Sequence, residues 1–103
     1  MSEELYIVIR YDAPNGGERR KDSMQAHMDW SRENVGRFKV GGAIRPDADS
    51  PAVGSVAIVK ATSVADARAL MEADPFDKVG VYKSTEVLHY RAGMGDWLGG
   101  VKW

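Results

Sequence analysis

The sequence predicts an α+β fold of the ferredoxin-like type, a βαββαβ antiparallel sheet with both helices on one face. Three observations predict it. Apolar patterning runs in the order strand, helix, strand, strand, helix, strand. The strand-like runs are apolar on both faces, so two helices cover one face and leave the other to be covered by something else. And 103 residues suffice for one domain of this kind and no more. Each helical crossover can return the chain to the same sheet with the right-handed connection.

The first strand is "ELYIVIRY", residues 4–11, rich in β-branched and aromatic side chains. Leu5, Ile7, Ile9 and Tyr11 point one way, Tyr6 and Val8 the other. "DAPNGG", residues 12–17, is a turn or loop. A helix follows over residues 18–37, with Met24, Met28, Ser31 and Val35 as its inward stripe and Phe38 next in register. Gly36 suits its C-terminal end. "FKVGGAIR", residues 38–45, is a second strand whose glycine pair marks a bulge or a close approach. Residues 46–54 form a loop, and "SVAIVKA", residues 55–61, the third strand, again apolar on both sides.

"TSVADARALMEAD", residues 62–74, reads as the second helix. Thr62 or Ser63 caps it, and Val64, Ala67, Leu70 and Met71 form its buried stripe. Asp74 before Pro75 predicts a short extra turn over residues 75–79, because proline suits the first helical position and aspartate the cap before it. "VYKSTEVLHYR", residues 81–91, is the fourth strand. The domain therefore spans residues 1–91. Residues 92–103 are a glycine-rich tail, with Trp97 and Trp103 as apolar anchors, expected to pack at a dimer or oligomer interface. A second copy of the sheet is the economical cover for the open face, which predicts a two-fold homodimer.

Composition excludes several classes of function. The net charge is −1, from 14 basic and 15 acidic residues, so no positive field invites nucleic acid. "ERRK", residues 18–21, is the nearest thing to a basic run and reads as a solvated helix end. With no cysteine there is no disulfide, thiolate site or cysteine nucleophile, and two histidines make a structural zinc site an unlikely design. With so few ligands, no metal or haem is expected. The acidic N-terminus does not resemble a signal peptide, and no apolar run approaches the ~20 residues that span a bilayer. The expectation is a soluble, cytoplasmic protein.

No nucleotide loop, zinc-type histidine pair or serine elbow is present. Chemistry then rests on His27, in "SMQAHMDW", at the edge of the first helix's inward stripe. It is either a core histidine tied to a backbone group or a neutral base whose second nitrogen accepts a proton. Asp74 either caps the turn at Pro75 or orients His27 across the groove between the helices; with two oxygens it can do both. Arg10, Arg45 and Arg91 lie at strand ends, where they are surface charges or reach a pocket mouth to hold an anion. His89 reads as structural or partly exposed.

The helix bearing "AHMDW", the "GG" strand, "GS" opening the third strand, and the alanine-rich helix ending in "ADPF" before "GVY" together resemble the YciI-like (YCII-related) family. The resemblance covers roughly residues 4–91. It implies a dimeric α+β barrel and a site built on a histidine and an aspartate. By position these are His27 and Asp74, with Ser55 on the pocket wall. It also implies small lactone-processing isomerases and a dehydrochlorinase among the relatives, none needing a metal or organic cofactor. The function expected is acid–base lyase or isomerase chemistry on a small anionic or cyclic substrate. The alternative is a small-molecule-binding or accessory dimer without turnover.

Overall fold

A computed structural model of the chain describes residues 2–103. Four long strands form one sheet in the spatial order β2-β3-β1-β4, every neighbouring pair antiparallel. They are β1 (Glu4–Asp12), β2 (Phe38–Ile44), β3 (Gly54–Ala61) and β4 (Tyr82–Tyr90). Helices α1 (Gly16–Asn34), α2 (Val64–Glu72) and the single turn α3 (Pro75–Lys78) complete the domain. This is the ferredoxin-like α+β fold, with the helices on one face. No helix among the described residues is long and apolar enough to cross a membrane.

Strand parity decides what faces the helices. On β1 the inward residues are Tyr6, Val8 and Arg10, all buried. Val8 lies opposite Val87 on β4 and Ala57 on β3, a row of short side chains. Val59 and Ala61 of β3, with Ala67, Leu70 and Met71 of α2, complete the core, and Trp30 and Phe38 pack against it. The next row reads Thr85, Arg10, Ser55, Ala43. The register thus sets a buried guanidinium beside a hydroxyl.

Ser63 caps α2 by accepting a hydrogen bond from the Asp66 amide at 3.0 Å. Asp66 in turn accepts from the Thr62 amide at 2.9 Å and from Arg37 at 3.1 Å, so the α2 start is tied on both sides. Val64, expected in the buried stripe, is 45% exposed because it occupies the first helical position, ahead of the face that meets the sheet.

Helix α1 departs from expectation in two ways. It begins two residues earlier, at Gly16, and a 3₁₀ turn over Val35–Arg37 leads into β2. A Cβ on Gly16 would stand 2.7 Å from the Val81 carbonyl oxygen and 2.9 Å from Asp12, so only glycine fits the seam. Second, its inward face is wider than the methionine stripe: Met24, Met28 and Ser31 line the space beneath the helix, and so do Arg20, His27 and Trp30. The less exposed positions are Gly16, Arg20, Ser23, His27, Trp30, Ser31 and Asn34, spaced as one helical face. Met24, Met28 and Val35 are exposed. The helix stands off the sheet over a cavity, and polar, aromatic and methionine side chains line the space.

The opposite sheet face carries Leu5, Ile7, Ile9, Ile58, Leu88 and Tyr90, and Leu88 is half exposed there. Residues 92–103 form a small hairpin, β5 (Met94–Gly95) with β6 (Gly100–Val101), turned through Asp96–Leu98. Trp103 backs onto Gly93, where a side chain has no room. Trp97 and Trp103 nevertheless remain about four-fifths exposed.

Candidate active site

The site grows from the "ADPF" corner. A residue before proline is pushed out of the helical region, and Asp74 adopts φ −62°, ψ 127° with Pro75 at the first position of α3. Its side chain folds over the helix start, where Oδ1 accepts the Phe76 amide at 2.9 Å. The carboxylate is fully buried. A charge so placed requires partners, and it has two.

One is His27, in the middle of the inward face of α1. Its Nδ1 lies 2.8 Å from Asp74 Oδ1. The ring stacks on Phe76, centroids 3.8 Å apart and planes within 3°. An ionised carboxylate only accepts, so Nδ1 carries the proton and donates it. Nε2 then holds the lone pair of the neutral ring, and no side chain among the described residues bonds it. The second partner is Arg10, whose Nη2 lies 3.1 Å from Asp74 Oδ2. That approach is off the axis of a hydrogen bond, and neither Asp74 Oδ2 nor Arg10 Nη1 has a bonded partner among the described residues. The attraction is coulombic, and distance matters to it more than angle. Arg10 Nε donates to Ser55 Oγ at 3.1 Å, across the strand register, and its Cζ sits 4.1 Å above the Tyr82 ring.

Between α1 and the sheet lies a cavity of about 350 Å³. His27, Ser55, Phe76 and Tyr82 line one part of it, with Trp30 and Phe38 as an apolar wall. Ligand pockets combine a mostly apolar lining with a few placed polar groups in this way. Among the described residues, no three His, Cys, Asp or Glu side chains cluster to hold a metal ion. The model of the YCII-related domain matches residues 5–91.

The chain belongs to the YCII-related family. It is also similar in structure to 5-chloro-2-hydroxyhydroquinone dehydrochlorinase from Burkholderia phenoliruptrix AC1100, solved in complex with 2,5-dihydroxybenzoquinone. The two are 27% identical with a TM-score of 0.74, over 90% of this chain and 97% of that one. No curated protein matches in sequence.

In this YCII-related chain, four of the residues singled out in the sequence meet: His27, Asp74, Arg10 and Ser55. Arg10 was expected at a strand end but lies buried beneath Asp74. Arg45 and Arg91 are exposed, and Arg45 is not among the residues lining the cavity. His89 is exposed, 2.7 Å from Glu4. Sequence reasoning missed Tyr82 and Arg20. The inward parity of Tyr6, Val8 and Arg10 could have placed Arg10, and the seven-residue spacing from His27 could have placed Arg20.

Burial pushes the Asp74 carboxyl upward, but the hydrogen bonds from His27 and the Phe76 amide, with the charge of Arg10, hold it below its ordinary value. Burial raises Tyr82 above the ordinary phenol value, against the opposing charge of Arg10. The site therefore presents a carboxylate that stays ionised and a phenol that stays protonated.

Proposed function

We propose that this YCII-related protein is a cofactor-independent acid–base enzyme of the lyase or isomerase type, acting on a small cyclic or anionic molecule. One observation carries the reading. His27 donates a hydrogen bond from Nδ1 to a buried carboxylate at 2.8 Å, which leaves Nε2 unpartnered on a residue that lines the cavity.

His27 Nε2 takes a proton from a ring hydroxyl or from carbon beside a carbonyl. The electron pair left behind moves through the conjugated system. It either expels a leaving group together with its bonding electrons or is reprotonated elsewhere on the ring. Asp74 fixes the tautomer beforehand and stabilises the imidazolium afterwards. Ser55 stands on the cavity wall as a contact for a polar substituent, with Arg10 donating to its Oγ from behind. The dehydrochlorinase of similar fold and its quinone ligand support the substrate class. The functional unit in this reading is a homodimer formed through the open sheet face, and the row of apolar side chains there supports it.

The test is chloride release from 5-chloro-2-hydroxyhydroquinone. Replacing His27 by Gln should lower the rate by roughly 100- to 10,000-fold, the usual worth of a positioned acid–base group, in a protein that remains folded. An unchanged rate in that variant would remove His27 as the base. Binding of the quinone by the wild type without release of chloride would instead assign a binding dimer without turnover.

A further inference from the structure

The basic run at residues 18–21 reads as a solvated helix end, yet one of its arginines turns inward. Arg20 lies on the same face of α1 as His27, two turns earlier, or about 10 Å along the axis. Its side chain is only 13% exposed. Asp12 grips it in a fork, accepting from Nε at 2.9 Å and from Nη2 at 2.8 Å. The Gly54 carbonyl accepts from Nη2 as well, at 3.3 Å. These bonds use two of the three guanidinium nitrogens. Nη1 has no hydrogen-bond partner among the described residues, and the residue lines the cavity.

Two aromatic rings flank the group. Arg20 Cζ lies 5.3 Å from the Phe76 ring centroid and 5.5 Å from that of Tyr82. Phe76 is the ring on which His27 stacks. The base and the guanidinium therefore both lie against one side chain. Arg10 differs: its Nη1 is closed off from the cavity, and its charge is engaged with Asp74. Arg45 is exposed elsewhere. Arg20 alone of these three offers an anchored cation with a donor left over.

We propose that Arg20 is the residue by which the cavity selects its substrate, an oxygenated ring carrying one ionised oxygen on the side away from His27. A guanidinium held by a carboxylate and two rings keeps its orientation before the ligand arrives, so little side-chain entropy is lost on binding. The ion pair with Asp12 balances the resting charge, and Asp12 holds Arg20 firmly protonated. The ligand oxygen then receives Nη1 without competing for Nε or Nη2. This inference rests on the acid–base reading for its substrate class but not for its measurement.

The measurement is binding, without turnover, of two ring-sized probes. 2,5-Dihydroxybenzoquinone is a vinylogous acid, ionised at neutral pH; hydroquinone is neutral there. Arg20→Gln should weaken the quinone by about 10- to 100-fold, the worth of a hydrogen bond to a charged group, and leave hydroquinone nearly unchanged. Arg20→Lys, which keeps the charge without the fork, should fall between. In the wild type, added salt should weaken the quinone more than hydroquinone. His27→Gln should keep the preference for the anion. Equal quinone binding by the wild type and Arg20→Gln would overturn the assignment, as would a preference lost in His27→Gln and kept in Arg20→Gln. A preference lost only in Arg20→Gln, in a protein that releases no chloride, would uphold Arg20 and refute the catalytic reading.

Discussion

At the scale of the residue, Asp74 concentrates the most consequence in the fewest atoms. Its Oδ1 accepts both from His27 and from the Phe76 amide, and its Oδ2 faces Arg10. Asn at this position keeps the shape and an acceptor for the amide but loses the charge. Arg10 is then buried without a counter-ion, and removing one partner of a buried pair costs about 3–5 kcal/mol. Urea unfolding of Asp74→Asn should show a loss of that order, and its turnover should fall with it. The pH dependence follows from the lowered carboxyl value. The folded state binds this proton less readily than the unfolded chain. The stabilisation is therefore complete above the ordinary value of 3.8 and is lost as pH falls through and below it. Acid titration of the wild type should show this loss of stability, and the Asn variant should show a shallower slope. An identical slope would place the acid sensitivity elsewhere.

At the scale of the element, α1 is the helix that the site has shaped. Gly16→Ala forces a Cβ against the Val81 carbonyl and Asp12, so the first turn must move and carry Arg20 with it. A loss of about 1–3 kcal/mol is expected from thermal unfolding, typical of overpacking. Ser63→Ala at the start of α2, far from the cavity, should cost about 1 kcal/mol through the cap alone and leave ligand binding intact. The elements themselves were legible. Alternation located all four long strands, and Asp-Pro located α3 with its cap. What patterning could not supply was the face of α1. Hydrophobic periodicity assumes that the buried side of a helix is its apolar side, and here Arg20 and His27 line the cavity under α1 together with Met24, Met28 and Trp30. Met24 and Met28 do line that cavity but stay more than two-fifths exposed, so the apolar stripe showed only part of the face. His27 and Asp74 were legible as a pair because two helices side by side on one sheet bring them to a common groove, and because the family resemblance implies a histidine and an aspartate at those positions. Arg10 was legible as a residue but not as a buried one, since a charged side chain on an inward strand row goes against composition.

At the scale of the whole molecule, the sheet has one face under helices and one largely without cover. Leu5, Ile7, Ile9 and Leu88 line the latter. A two-fold partner through this face would bury on the order of 800 Å² per chain, the size of an ordinary specific interface. Ile9→Asp places a charge in the middle of it and should yield monomers by light scattering, with the helical content kept. A wild-type protein that is monomeric at micromolar concentration would rule the dimer out. The tail bears on the same face. Between it and the sheet lies a second cavity of about 440 Å³, lined by Leu5, Ile58, Tyr90, Trp97 and Leu98 among others. Truncation after Arg91 should therefore weaken association more than it weakens the fold.

The three tryptophans are distributed in a way that has an optical consequence. Trp97 and Trp103 sit in the exposed tail, whereas Trp30 packs on Phe38 with its ring centroid 6.0 Å from that of His27. With both tail tryptophans changed to Phe, the remaining emission comes from the cavity wall alone. Its intensity would then follow ligand occupancy in real time, without any label added to the protein.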